Sequence, residues 1–279
     1  MKTKTDLDHT FAICAYKDSP YLEECVRSLV NQTVPANIIL CTSTPSPYIE
    51  AIAGKYGIPV CVREGKSDIQ DDWNFAYGQT KTRYVTLAHQ DDIYEPDYLE
   101  SFLAAVKRYP DISLYFTAYT AICGGRPDPA ERTCRVKRLL CSLVRFHRLA
   151  SLRWVKKSCL CLGNSISCPM TTYNRQIAGE RPFQSRLKFA LDWEMYWKLS
   201  ERPGRFYYEP RPKGFFRIHK GATTSDFTAN QGRSTEEAEM FSHFWPRPVV
   251  RLLMRFYTKS YSTYDKGEDG ERREERSGE

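Results

Sequence analysis

The sequence predicts an α/β fold, with a mostly parallel central sheet flanked by helices, a smaller second half and a helical C-terminal part. Three observations predict it. Over the first hundred residues, short apolar runs alternate with segments of helical periodicity, which is the pattern of βαβ units. The fourth apolar run ends directly in the polar, acidic His89-Gln90-Asp91-Asp92, and open α/β sheets place their ligands at the C-terminal ends of strands. The composition, 41% hydrophobic and 27% charged over 279 residues, is that of a globular chain long enough to bury a sizeable core.

The elements follow in order. Phe11–Tyr16 (FAICAY) reads as a buried strand. Asp18-Ser19-Pro20 supplies an N-cap and a first-turn proline for a helix in YLEECVRSLVNQ, where Leu22, Val26, Leu29 and Val30 recur at helical spacing. Asn37–Cys41 is the second strand, Ile49–Tyr56 a helix, Pro59–Val62 a short third strand, Asp72–Gln79 a helix and Arg83–Ala88 the fourth strand. Pro96–Tyr109 forms another helix with Tyr98, Phe102, Ala105 and Val106 on one face, and Ser113–Tyr119 a further strand. The pattern breaks at Gly124–Pro129, a turn-rich insertion. The chain thus divides into 1–122, 123–225, a C-terminal helical extension at 226–264, and a tail at 265–279 whose charge and glycine predict disorder.

The formal net charge of +7 is unevenly placed, because no Asp or Glu occurs between Arg132 and Gly179. Such a field suits an anionic partner: a nucleoside diphosphate, a lipid phosphate, a membrane surface or nucleic acid. In this stretch Leu139, Leu143, Phe146 and Leu149 form an apolar stripe flanked by arginines. The stripe belongs either to a surface helix packed on the core or to an interfacial helix resting on anionic lipid. Trp245–Tyr257 (WPRPVVRLLMRFY) is a second basic and apolar segment that docks on the domain or on a membrane. No run of about 18 apolar residues occurs, so no membrane span is expected. Polar Met1–His9 lacks the apolar stretch of a secretory signal, so a cytoplasmic location is expected, peripheral at the inner face of the membrane. The cysteines, Cys 10 in all, form no CxxC pair and read as reduced and buried; Cys159, Cys161 and Cys168 lack the fourth ligand and the spacing of a zinc site.

Adjacent carboxylates at a strand end, Asp91 and Asp92, attract a hard cation, and Mg²⁺ or Mn²⁺ held by one or two carboxylates completes its shell with water and phosphate oxygens. The same pair also suits an Asx turn and N-cap without metal. Asp192, opening the helical LDWEMYWKLS, reads as an N-cap, as a general base for a hydroxyl, or as both.

The stretch RYVTLAHQDDIYEPDYLE closely resembles the metal-binding segment of family 2 glycosyltransferases of the GT-A fold. FAICAYKDSPYLEECVRSLVNQT resembles that family's opening strand, nucleotide loop and first helix, and LDWEMYWKLS its base-bearing helix. The resemblance implies a Rossmann-like GT-A sheet, with 1–122 as the nucleotide-sugar-binding half and 123–225 as the acceptor-side half. It implies an inverting transfer of a sugar from a nucleoside diphosphate sugar, a UDP-sugar by default, to a hydroxyl of a glycan or lipid-linked acceptor. Asp91 is then the carboxylate for Mn²⁺ or Mg²⁺. His219, in FFRIHKGATTS, is a second metal ligand or a phosphate contact, and Asp192 is the catalytic base. Ala15, Tyr16, Asp18, Ser43, Asn74, Gln90, Asp92 and Arg217 fall around the nucleotide.

Three departures from the family pattern stand out. His89 occupies the place of the first acid of the Asp-x-Asp motif and offers a lone pair without negative charge. Cys41-Thr42-Ser43-Thr44 replaces an acidic base-reading loop. Leu191 replaces the Glu that usually precedes the base, which is expected to raise the pKa of Asp192. The first two also suit an alternative, a non-catalytic nucleotide-sugar-binding protein with a degenerate site. A sugar nucleotidyltransferase requires a Gly- and Arg-rich phosphate loop after the first strand, and AYKDSPY is not one. A nucleic-acid module leaves the acidic crevice unexplained, so no nucleic-acid partner is expected.

Overall fold

The computed structural model of the chain describes residues 8–219 and 232–257. Nine strands, β1 (His9–Ala15), β2 (Asn37–Thr42), β3 (Val60–Val62), β4 (Tyr84–His89), β5 (Ile93–Tyr94), β6 (Ile112–Cys123), β7 (Arg126–Asp128), β8 (Thr171–Asn174) and β9 (Arg205–Ile218), form one sheet. Its order is β3-β2-β1-β4-β8-β6-β9-β5, with β7 paired to β6. From β3 to β4 every pairing is parallel. β8 inserts antiparallel to both β4 and β6, and β6 then runs parallel to β9. The sheet is therefore continuous across residue 122, with the second half of the chain supplying β8 and β9.

The helices are α1 (Leu22–Val30), α2 (Pro47–Tyr56), α3 (Ile69–Gly78), α4 (Tyr98–Arg108), α5 (Arg132–Leu140), α6 (Arg153–Ser158), α7 (Arg175–Ala178), α8 (Leu191–Ser200), α9 (Gly232–Ser242) and α10 (Arg247–Tyr257). Alternation along the strands builds two core layers. Phe11 and Ile13 of β1 pack with Leu22, Val26, Ile49 and Phe102 of α1, α2 and α4. Ala12 of β1 and Val85 and Leu87 of β4 belong instead to the layer of Tyr77, Trp193, Tyr196 and Phe241 from α3, α8 and α9. Because both faces are covered, β1 is buried almost throughout rather than on alternate residues, as parallel strands usually are.

The elements differ from the sequence reading in four places. α1 has Tyr21 at its N-cap position with no side-chain cap, because Ser19 and Asp18 are engaged elsewhere: Ser19 donates to Asp91, and Asp18 accepts from Ser46. α3 starts earlier than Asp72, since Asp68 accepts hydrogen bonds from the Gln70 and Asp71 amides and caps it there. Gly124 and Gly125, at φ 54° and 74°, form a tight hairpin turn that returns β6 into β7. The basic stretch breaks into α5, a short 3-10 turn at Leu143–Arg145, and α6. The tail at 265–279 and the loop Lys220–Thr224 lie outside the described residues. Among the described residues no helix is long and apolar enough to cross a membrane. All ten cysteines are free, six of them buried.

Candidate active site

A cleft of about 870 Å³ opens at the C-terminal ends of β1, β2 and β4. Ala15 at the end of β1 and Tyr16 after it, Thr42 of β2, Asp72 and Trp73 of α3, and the turn His89–Asp92 at the end of β4 line it from the first half of the sequence. Arg132 and Lys137 of α5, Asn164, Asp192 of α8 and Arg233 of α9 line it from the remainder, with Arg217 and His219 contributed by the end of β9.

The backbone of the first loop is held in place by Gln90. Its amide oxygen accepts from the Tyr16 N–H and its amide nitrogen donates to the Tyr16 carbonyl, both at 2.9 Å. The Tyr16 ring stays 46% exposed, which leaves a face for stacking. Lys17 follows at φ 54°, the left-handed region, and its amide donates to Thr44 Oγ1 at 2.6 Å.

Asp91 is the carboxylate that faces the cleft with a formed environment. Ser19 Oγ donates to its Oδ1 at 2.7 Å, and His219 Nε2 lies 3.4 Å from its Oδ2. Burial opposes its ionisation, but the hydrogen bonds from His219 and Ser19 outweigh burial and hold its pKa below the ordinary value. Asp92 is different. Only 2% exposed, it accepts the Arg217 amide at 2.9 Å, and burial pushes its pKa well up. It ties the end of β9 to the acidic turn, and its neighbour is thereby left to face ligands. The Arg217 guanidinium donates to the Asp91 carbonyl at 3.1 Å and to Glu24 at 2.6 Å, over the Tyr21 ring. His89 packs against Trp73 with ring centroids 5.1 Å apart, and burial lowers its pKa to about 4, so the residue that replaces an acid is a neutral imidazole.

Asp192 lies in the first turn of α8 rather than at its cap, which is Ala190. The chain entering the helix is held from elsewhere: Glu236 of α9 accepts the amides of Lys188 and Phe189, which precede it, and of the cap residue Ala190, at 2.7–2.9 Å. Asp192 is thereby left for other work. Asn164 donates to its Oδ2 at 2.8 Å and the Trp193 amide to its Oδ1 at 2.7 Å. Burial raises its pKa to about 6, against the opposing pull of the Trp193 amide, the Lys137 charge and Asn164. The direction is the one expected from Leu191, which is itself buried.

Three sequence-predicted residues are absent from the lining. Asp18 accepts from Ser46, Ser43 donates to Asp72 at 3.0 Å, and Asn74 is buried in a two-way pairing with the Phe183 backbone at 2.6 and 3.2 Å. Ser19, Lys137, Asn164 and Glu236 are the residues that sequence reasoning missed. No cluster of three or more metal-ligating side chains occurs among the described residues. The pair Asp91 and His219, a carboxylate and an imidazole nitrogen 3.4 Å apart, is compatible with a divalent ion as a partial ligand set, one that phosphate oxygens and water would have to complete.

Solved structures that share this fold include glycosyltransferases. TarS 1–349 of S. aureus in complex with UDP-GlcNAc superposes with a TM-score of 0.58 at 14% identity, covering 89% of this chain and 70% of that one. The mannosyltransferase PcManGT of Pyrobaculum calidifontis with GDP-Man and Mn²⁺ gives 0.58 at 11% identity, covering 93% and 73%. Glucosyl-3-phosphoglycerate synthase of Mycobacterium tuberculosis with Mn²⁺, UDP-Glc and phosphoglyceric acid gives 0.54 at 15% identity, covering 86% and 80%. These likenesses show a GT-A fold. No curated protein matches the sequence. The model of the family "Glycosyl transferase family 2" matches residues 10–165, which takes in β1 to α6 and the whole acidic turn. A match over more than half of the chain, through the strands that build the cleft, is membership: the chain belongs to glycosyl transferase family 2.

Proposed function

We propose that the protein transfers a sugar from a nucleoside diphosphate sugar to an acceptor hydroxyl, in one in-line displacement that inverts the anomeric configuration. One observation carries this reading. Two carboxylates of a single cleft sit in different surroundings: Asp91 accepts from Ser19 and lies 3.4 Å from His219, which hold its pKa below the ordinary value, whereas Asp192 accepts from Asn164 in a desolvated position that raises its pKa to about 6. Such a separation assigns distinct roles, an anion for charge and phosphate handling and a base for proton uptake. Asp192 takes the proton of the acceptor hydroxyl, the oxygen forms its bond to the anomeric carbon, and the bond to the diphosphate breaks with its electron pair going to that leaving group. Near neutral pH, Asp192 is mostly ionised yet more basic than an ordinary carboxylate.

Tyr16 offers a face for the nucleobase, and Gln90 holds the loop that carries it. Asp91 and His219 would hold Mn²⁺ or Mg²⁺, which supplies positive charge to the departing diphosphate. Arg217 adds a second cation beside Asp91. A UDP-sugar is the default donor. UDP-GlcNAc, UDP-Glc and GDP-Man in the structures of TarS, the synthase and PcManGT keep the donor panel broad. The acceptor is a glycan or a lipid-linked hydroxyl.

The test is hydrolysis of UDP-, GDP- and dTDP-sugars without acceptor, with Mn²⁺ or Mg²⁺ and with EDTA, in wild type, Asp91→Ala and Asp192→Asn. Nucleoside diphosphate release that disappears with EDTA and with Asp91→Ala is the expected result. Donor binding by calorimetry with no release from any sugar, and no transfer to glycan acceptors, would instead establish the non-catalytic binder.

A further inference from the structure

We infer that the outer face of the segment from α5 to α6 is a docking surface for an anionic lipid bilayer. The segment has two sets of apolar side chains. Cys134, Cys141, Val144, Ala150 and Val155 are at most 2% exposed and fasten it to the core. Leu139 (71%), Phe146 (64%), Trp154 (60%), Leu149 (47%), Leu143 (44%) and Leu152 (43%) point away from the core. Core packing therefore does not consume the apolar stripe seen in the sequence. Its anchoring is already complete through the first set.

The charge around this stripe selects the partner. Arg135, Arg145 and Arg148 are exposed and have no acidic partner among the described residues. No acid occurs anywhere from Arg132 to Gly179. Exposed Leu, Phe and Trp bordered by Arg are the composition of an interfacial surface, with rings and aliphatic chains entering the acyl boundary and guanidinium groups meeting lipid phosphates. A second copy of this chain fits less well, because a two-fold contact would set two predominantly basic faces against each other. Nucleic acid offers the phosphates but no apolar layer for Leu139 and Phe146.

The surface reaches the cleft. Val136 and Leu162, 46% and 43% exposed, belong both to this apolar face and to the cleft lining. The Trp245 indole donates to the Cys161 carbonyl at 2.6 Å, which fixes the chain entering α10, with its exposed Leu252, beside the same edge. A bilayer seated here brings lipid-borne hydroxyls to the mouth near Asp192. That last step rests on the proposed transfer, whereas the docking itself does not.

The test is co-sedimentation of the full chain with phosphatidylcholine vesicles and with vesicles that also contain phosphatidylglycerol. Wild type is expected to bind the anionic vesicles only, in a salt-sensitive way. The double variant Phe146→Ser, Trp154→Ser is expected to lose about tenfold or more in binding, with an unchanged thermal melt because both side chains are exposed. Arg145→Gln, Arg148→Gln is expected to weaken binding and flatten its salt dependence. Absence of vesicle binding by wild type, or undiminished binding by the Phe146, Trp154 variant, overturns the inference. So does a wild-type dimer that dissociates in that variant without any vesicle binding. Donor hydrolysis is not read, so failure here is distinct from failure of the transfer reading.

Discussion

Ser19 and Asp91, 72 positions apart in sequence, are joined by a hydrogen bond of 2.7 Å from the serine hydroxyl to the carboxylate. The bond links the loop after β1 to the turn after β4, two adjacent strand ends whose crevice forms the cleft. It helps to keep Asp91 ionised against the cost of burial. Ser19→Ala removes a charge-assisted bond, so the pKa of Asp91 rises and donor affinity is expected to fall about tenfold. Calorimetry with the cleaved donor measures this, and an affinity equal to wild type would count against the role.

In the proposed transfer, Asp192 is expected to set the pH dependence. Its pKa is raised to about 6 by burial, so the ionised base is present above that pH and is lost as the pH falls through it. The acid limb of the kcat profile is therefore expected near pH 6. Lys137 favours the carboxylate form, so Lys137→Met shifts the limb to higher pH, by about one pH unit. Asn164→Ala moves it in the same direction. Asp192→Asn lowers kcat by about 10²-fold or more with donor affinity preserved. An acid limb that stays in place in the Lys137 variant would sink the assignment.

What was legible in the sequence was what neighbouring residues encode together. β1, β2 and β4 were readable because each carries a short, largely apolar run, and the acidic turn because it follows one of them directly. Partners distant in the chain were not readable. Asn164 meets Asp192 across 28 positions, and Glu236 holds the entry to α8 across 46 to 48 positions. No local pattern distinguishes those two residues from any other surface Asn or Glu. Asn74 failed for the same reason in reverse: Phe183, 109 positions away, occupies both ends of its amide.

Glu236 tests whether α9 holds the helix that carries Asp192. Its carboxylate accepts the amides of Lys188 and Phe189, which lead into α8, and of Ala190 at the N-cap, close to the positive end of the helix dipole. Glu236→Ala is expected to cost about 1–2 kcal/mol in urea denaturation. It should also lower kcat more than it raises the donor KM, since α8 carries Asp192 and the acidic turn does not depend on it. A variant with wild-type stability and kcat would show that α9 merely lies against α8.

Gly214 is the position where the second half of the sheet admits no side chain. It lies on β9 opposite Tyr94 of β5, and a Cβ there would sit 2.6 Å from Met170 Cε and 2.7 Å from the Ile93 carbonyl oxygen. Met170 is fully buried and the carbonyl belongs to the short strand that follows Asp92 directly, so neither yields without moving the acidic turn. Gly214→Ala is expected to destabilise the chain by about 2–4 kcal/mol and to weaken donor binding with it. Gly54→Ala in α2 is the matching control. Its Cβ would meet no atom within 4 Å, so that variant is expected to gain up to about 1 kcal/mol from helix propensity. Denaturant midpoints measured on both variants decide the point. If Gly214→Ala melts with wild type, β5 and β9 have room to separate, and the acidic turn is held by Asp92 and Arg217 rather than by the close approach of the two strands.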